Sequence, residues 1–120
     1  MGKKIMIVDD AAFMRMMIKD TLKKNGFEET VEVGNGQEAV DAYPAEKPDL
    51  VLMDITMPVM NGLDALKALK QMDPNVSVVM CSAMGQENMV VEALKCGAKD
   101  FIVKPFKADR IMKTVNNLLG

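Results

Sequence analysis

Histidine and tryptophan are absent from the 120 residues, and tyrosine occurs once. Without histidine the chain offers no imidazole metal ligand, no Ser-His-Asp relay and no phosphohistidine of its own. Cysteine is scarce too. Cys81 and Cys96 fall at what reads as a strand end and a helix end, and two cysteines in such a chain are expected as free thiols. Neither sign of charge dominates: 15 Lys+Arg face 17 Asp+Glu for a net of −2. There is no basic stripe, which argues against nucleic acid as a partner. No apolar run reaches transmembrane length, and "MGKKIMIVDD" has the form of neither a signal peptide nor a myristoylation signal. The expectation is a cytoplasmic monomer that engages no membrane. The chemistry left to it is that of oxygen and lysine: carboxylates, hydroxyls and ammonium groups.

What is present is a large apolar fraction, 49% of the chain, enough for one core over residues 1–120. Thirteen methionines do much of the filling. The cluster Met14, Met16, Met17 is read as ordinary core and groove packing in preference to an adaptable binding surface. Strand-length apolar runs alternate with helical periods. "KIMIV" (4–8), "TVEV" (30–33), "LVLM" (50–53), "VSVVM" (76–80) and "DFIV" (100–103) read as strands. The second alternates as a half-exposed edge strand would. Between them, Phe13, Met14, Met17, Ile18 and Leu22 repeat at helical spacing, and Gly26 suits a left-handed cap. "NGQEAVDAY" opens with an Asn35…Glu38 capping box, and Pro44 is expected to end or kink that helix. Leu63 to Met72, Met89 to Leu94 and Ile111 to Leu118 complete five helices, with Gly97 capping the fourth. Alternation of this kind predicts an α/β fold, a doubly wound parallel sheet of five strands covered on both faces by five helices.

In an open parallel sheet, chemistry collects at the carboxyl ends of the strands. Asp9 and Asp10 follow the first strand, Asp54 the third, Ser82 the fourth and Lys104 the fifth. Each alone reads as a cap or turn residue; their joint placement on one rim does not. Two carboxylates about 4 Å apart repel by roughly 4 kcal/mol at an effective dielectric near 20. Three of them call for protonation or for a cation. All-oxygen ligation with few protein groups suits Mg²⁺, which retains waters and favours sites completed by phosphate. A carboxylate beside a dication and a lysine is equipped to accept a phosphoryl group.

At these residues the chain resembles the receiver domains of two-component response regulators. "IVDD", "NGQEAV", "PDLVLMDITMPVMNGLDAL", "CSAM" and "GAKDFIVKPF" occur in that family's order and spacing, across nearly the whole chain. The resemblance, closest to the single-domain chemotaxis members, implies a flavodoxin-like sheet in the order 2-1-3-4-5. That order is carried over from the family and is not read from spacing. It further implies Asp54 as phosphoacceptor, and Mg²⁺ held by Asp10 directly, by Asp9 through water, by Asp54 and by the backbone carbonyl of Thr56. Ser82 would bond the phosphoryl group, Lys104 would pair with it, and Phe101 would be the switch aromatic. Lys104-Pro105 would be a cis peptide that aims the lysine.

The implied partners are a histidine kinase, the flagellar motor switch protein and a dedicated phosphatase, with Lys95, Lys99 and Lys113 on the output face. The chain would be no enzyme beyond its own aspartyl phosphorylation and dephosphorylation. Three departures stand out: Phe101 where many chemotaxis members carry tyrosine, Ser82 for the commoner threonine, and Thr56 two residues after the acceptor. A phosphorelay intermediate, passing phosphate to a histidine phosphotransfer protein, is the alternative within the class. Outside it, an FMN binder would need a phosphate-cradling loop where Asp9-Asp10 stands. A carboxylate phosphatase would need an acid two residues after Asp54, where Thr56 stands.

Overall fold

A computed structural model describes residues 3–119; the reading of the N-terminus for a targeting signal rests partly on Met1 and Gly2, outside them. The chain runs β1 (Lys4–Val8), α1 (Ala12–Lys24), β2 (Glu29–Val33), α2 (Gly36–Glu46), β3 (Leu50–Asp54), α3 (Gly62–Met72), β4 (Val78–Ser82), α4 (Glu87–Lys95), β5 (Asp100–Val103) and α5 (Ala108–Leu119). All strand pairings are parallel, in the order β2-β1-β3-β4-β5. The period of two divides the strands between two cores. Met6, Val8, Val51 and Met53 pack with Leu66, Leu69 and Val90 on one face. Ile5, Ile7, Leu50 and Leu52 pack with Ile18, Leu22, Ile111 and Val115 on the other. β3 is buried at every position because it is central and covered on both sides, while β2 is a half-exposed edge.

Several expectations are corrected. β4 begins at Val78, not Val76, because the Val76 N–H closes the turn after α3 on the Asp73 carbonyl. It continues to Ser82 because the register pairs Asp54 with Cys81 and Ser82 with Val103. β3 includes Asp54, and β2 starts one residue early, at Glu29. α2 passes through Pro44 to Glu46. Proline withholds one N–H from the ladder, but the next turn still closes when the Lys47 N–H bonds the Tyr43 carbonyl. On α1 the stripe turned to the core is Met14, Ile18 and Leu22. Phe13 and Met17 lie about 100° off it, and Phe13, Met16 and Met17 face solvent. Both thiols are free, as expected, and burial pushes Cys81 up to about 12.

Candidate functional site

The sheet delivers its chemistry to one rim by ending three central strands together. β1 hands over to Asp9 and Asp10, β3 ends on Asp54 and β4 ends on Ser82. Asp9 and Asp54 are buried and Asp10 is exposed; one carboxylate oxygen from each lies within 4.8 Å of the others. Lys104 arrives from the end of β5, half-buried, with its Nζ 3.1 Å from Asp9 Oδ2 and 3.3 Å from Asp54 Oδ1. Its N–H donates to the Ser82 carbonyl at 2.6 Å, and the Lys104-Pro105 peptide is cis. One ammonium thus bridges two carboxylates, Asp9 and Asp54, of a cluster of three.

The electrostatics follow from that count. Burial pushes the Asp54 carboxyl above its usual range; Lys104 pulls it down, and Asp9 adds to the rise. Burial works against the Lys104 ammonium, but the Asp9 hydrogen bond and the charges of Asp54 and Asp9 outweigh it, so its pKa is raised. The uncompensated negative charge and the all-oxygen donors fit a hard divalent cation. Among the described residues no backbone N–H takes the Thr56 carbonyl, which leaves that oxygen available as a further ligand.

The shell around the rim is built from backbone. Asp9 Oδ1 accepts the Ala11 N–H at 2.9 Å, so this carboxylate also pins the start of α1. Arg15 on α1 donates to the Asp9 carbonyl at 2.6 Å and reaches Glu32 at 3.3 Å, bracing the end of β1. Gly62, the first residue of α3, packs so tightly that an added Cβ would meet the Asp54 carbonyl oxygen. Only glycine lets α3 approach the end of β3 this closely. Asn61 caps that helix, its Oδ1 accepting the Asp64 N–H. Asn35 caps α2 in the same way on Glu38, whose carboxylate reaches back to the Gly34 N–H. Val59, in the loop between Asp54 and α3, is held at φ 66°, a strained choice for a β-branched residue.

Ser82 is buried at the rim and Phe101 is half-buried in the middle of β5. Lys95, Lys99 and Lys113 are all exposed, and Lys99 precedes β5, at the opposite end of that strand from Lys104. The chain reading missed a groove of about 410 Å³ between α4 and β5, whose lining includes Met84, Val91, Leu94, Phe101 and Val103. Its signal was present in outline: Val91 and Leu94 share a helix face at i, i+3 spacing, and both are exposed. Also missed was Gln86, whose side-chain amide bonds both the Ala83 N–H and the Thr56 hydroxyl.

The geometry is that of a family, and comparison with known proteins gives the same answer. The model of the response regulator receiver domain matches residues 5–116, and the chain belongs to that family. Within it, the chain is similar to the chemotaxis protein CheY of Bacillus subtilis, 60% identical over 120 residues and 100% of both chains. It is 58% identical over 118 residues to chemotaxis protein CheY of Thermotoga maritima, covering 98% of each. Among solved structures, the CheX–CheY–BeF₃–Mg²⁺ complex of Borrelia burgdorferi matches with TM-score 0.92 and 34% identity, over 98% of this chain and 90% of that one. The chain is a receiver of the chemotaxis type, signalling through phosphorylation rather than through turnover of a substrate. Among the described residues no helix is long and apolar enough to cross a membrane.

Proposed function

We propose that Asp54 accepts a phosphoryl group from a histidine kinase, and that this rearranges the α4-β5-α5 face to bind the flagellar motor switch protein. One observation carries the proposal: a carboxylate at the end of a fully buried strand stands 3.3 Å from Lys104 and shares a cluster with Asp9 and Asp10. An Asp54 oxygen attacks the phosphorus of the partner's phosphohistidine. The P–N bond breaks, its electron pair leaves on the imidazole, and an acyl phosphate remains. Asp9, Asp10, Asp54 and the Thr56 carbonyl would hold Mg²⁺, which when bound supplies positive charge beside the phosphoryl oxygens. Lys104 pairs with the same oxygens, and the Ser82 hydroxyl donates to one of them.

A phosphoryl group adds about two negative charges and three acceptor oxygens. Ser82 moves toward them and draws the loop that leads into α4. Phe101 then rotates inward, with no hydroxyl to keep it at the surface. The apolar groove and the cationic Lys95, Lys99 and Lys113 become the surface for an acidic or amphipathic segment of the motor switch. A dedicated phosphatase completes the cycle, and the chain works in the cytoplasm as a monomer.

The test is binding of a motor-switch peptide with and without beryllofluoride and Mg²⁺. Tighter binding in the loaded state, weakened by charge reversal at Lys95 and Lys113, supports the reading; each tenfold of tightening is about 1.4 kcal/mol. Equal affinity in both states overturns the motor output and favours relay to a histidine phosphotransfer protein.

A further inference from the structure

The loop from β4 to α4 is fastened across the rim by one side chain that no part of the proposed chemistry uses. Gln86 stands at the N-cap of α4, and its Oε1 accepts the Ala83 N–H at 2.6 Å. Its Nε2 donates to Thr56 Oγ1, also at 2.6 Å. One half-buried amide therefore ties the residue after Ser82 to the loop after Asp54, at Thr56, 30 residues before Gln86 in the chain. The two tied segments are those the proposed switch must move relative to each other. Ala83 is bonded covalently to Ser82, so Ser82 cannot shift toward a group on Asp54 without carrying the Ala83 N–H with it.

From this geometry we infer that Gln86 is a latch: a positioning residue that holds the Ser82 loop in its unphosphorylated arrangement and sets the threshold for switching. The inference rests on the proposed phosphorylation of Asp54. A phosphoryl group on that residue brings strong acceptors to the rim, and these compete with Gln86 Oε1 for the Ala83 N–H. Breaking the latch opposes activation by about one net hydrogen bond, a factor of about five in the switching equilibrium. Thr56 acts here through its hydroxyl, a role separate from that of its carbonyl.

The test compares wild type, Gln86→Ala, Thr56→Val and the double variant. Beryllofluoride affinity in saturating Mg²⁺ is measured by NMR titration, together with exchange of the Ala83 amide proton in the unloaded protein. The latch requires about fivefold tighter beryllofluoride binding in Gln86→Ala and faster Ala83 exchange, with Mg²⁺ affinity unchanged. It also requires that Thr56→Val add little once Gln86 is gone, since both substitutions break the same bond. Unchanged or weaker beryllofluoride binding in Gln86→Ala overturns the latch while leaving the Asp54 reading intact. Failure of the wild type itself to bind beryllofluoride overturns both.

Discussion

The two ends of the sheet carry similar residue types and opposite arrangements. At the amino ends of the strands, polar groups close into pairs. Tyr43 donates to Asp73 at 2.8 Å, and the other Asp73 oxygen takes the Asn75 N–H. Asp49 accepts the Lys4 N–H at 2.8 Å, and the Lys4 ammonium meets Glu46 at 3.2 Å. At the carboxyl ends, Asp9, Asp10 and Asp54 crowd together, and Lys104 pairs with only two of them, Asp9 and Asp54. The first end is finished by folding. The second keeps a crowding of carboxylates that Lys104 offsets only in part, so function here is legible as unsatisfied charge.

The largest difference between the ends is expected in metal binding. With no tryptophan to report it, Mg²⁺ affinity is best followed by calorimetry or NMR. Asp10→Ala should weaken it at least about tenfold, or about 1.4 kcal/mol, while Asp49→Ala at the other end leaves it unchanged. Mg²⁺ should accordingly raise the thermal midpoint of the wild type and do little for Asp10→Ala. Equal losses at the two ends would erase the distinction.

Stability without metal should separate the ends by sign. Asp10→Ala removes one of three crowded carboxylates and is expected to stabilise the fold by about 1 kcal/mol. Tyr43→Phe removes the bond to Asp73 and is expected to cost about 1 kcal/mol. Denaturant melts in the presence of a chelator check both. Two changes of the same sign would contradict the comparison.

A smaller effect sharpens it at alkaline pH. Burial, then the hydrogen bond and charge of Asp73, push the Tyr43 hydroxyl up to about 12. The native chain therefore keeps a proton that the unfolded chain loses near pH 10. Stability from this residue is complete below about pH 10 and lost as pH rises toward 12. Cys81, pushed up to about 12 chiefly by burial, adds to the same decline from about pH 9. Tyr43→Phe should make the alkaline limb shallower above pH 10, by up to about 1.4 kcal/mol per pH unit. Melts at stepped pH read the slope; an unaltered slope would show that the tyrosine keeps no such proton.

How much of this was legible in the chain depends on how local the cause is. β1 was readable to the residue, and the core of β3 with it, because burial on both faces leaves no other pattern. β5 was readable to the residue from its short apolar run, although it is an edge strand with only Ile102 buried. The acidic rim was readable because strand ends converge in any open parallel sheet, so Asp9, Asp10, Asp54, Ser82 and Lys104 could be placed together without coordinates. The start of β4 was misplaced because Val76 is buried in the core although its backbone belongs to the turn after α3, and composition does not separate a buried turn residue from a buried strand residue. Phe13 and Met17 looked like core because they fall near helical spacing, and only the packing of α1 shows which stripe is turned inward. The Gln86 tie was invisible. It depends on the reach of one flexible side chain between two loops, and nothing in its own segment marks it.

The most direct measurement locates the phosphoryl group itself. The protein is incubated with acetyl phosphate and Mg²⁺, the acyl phosphate is trapped by borohydride reduction, and the reduced residue is mapped by peptide mass spectrometry. The expected result is modification at Asp54 alone, dependent on Mg²⁺ and absent from Asp54→Asn. Modification at Asp9 or Asp10, or trapping in Asp54→Asn at the wild-type level, would contradict the assignment of the rim.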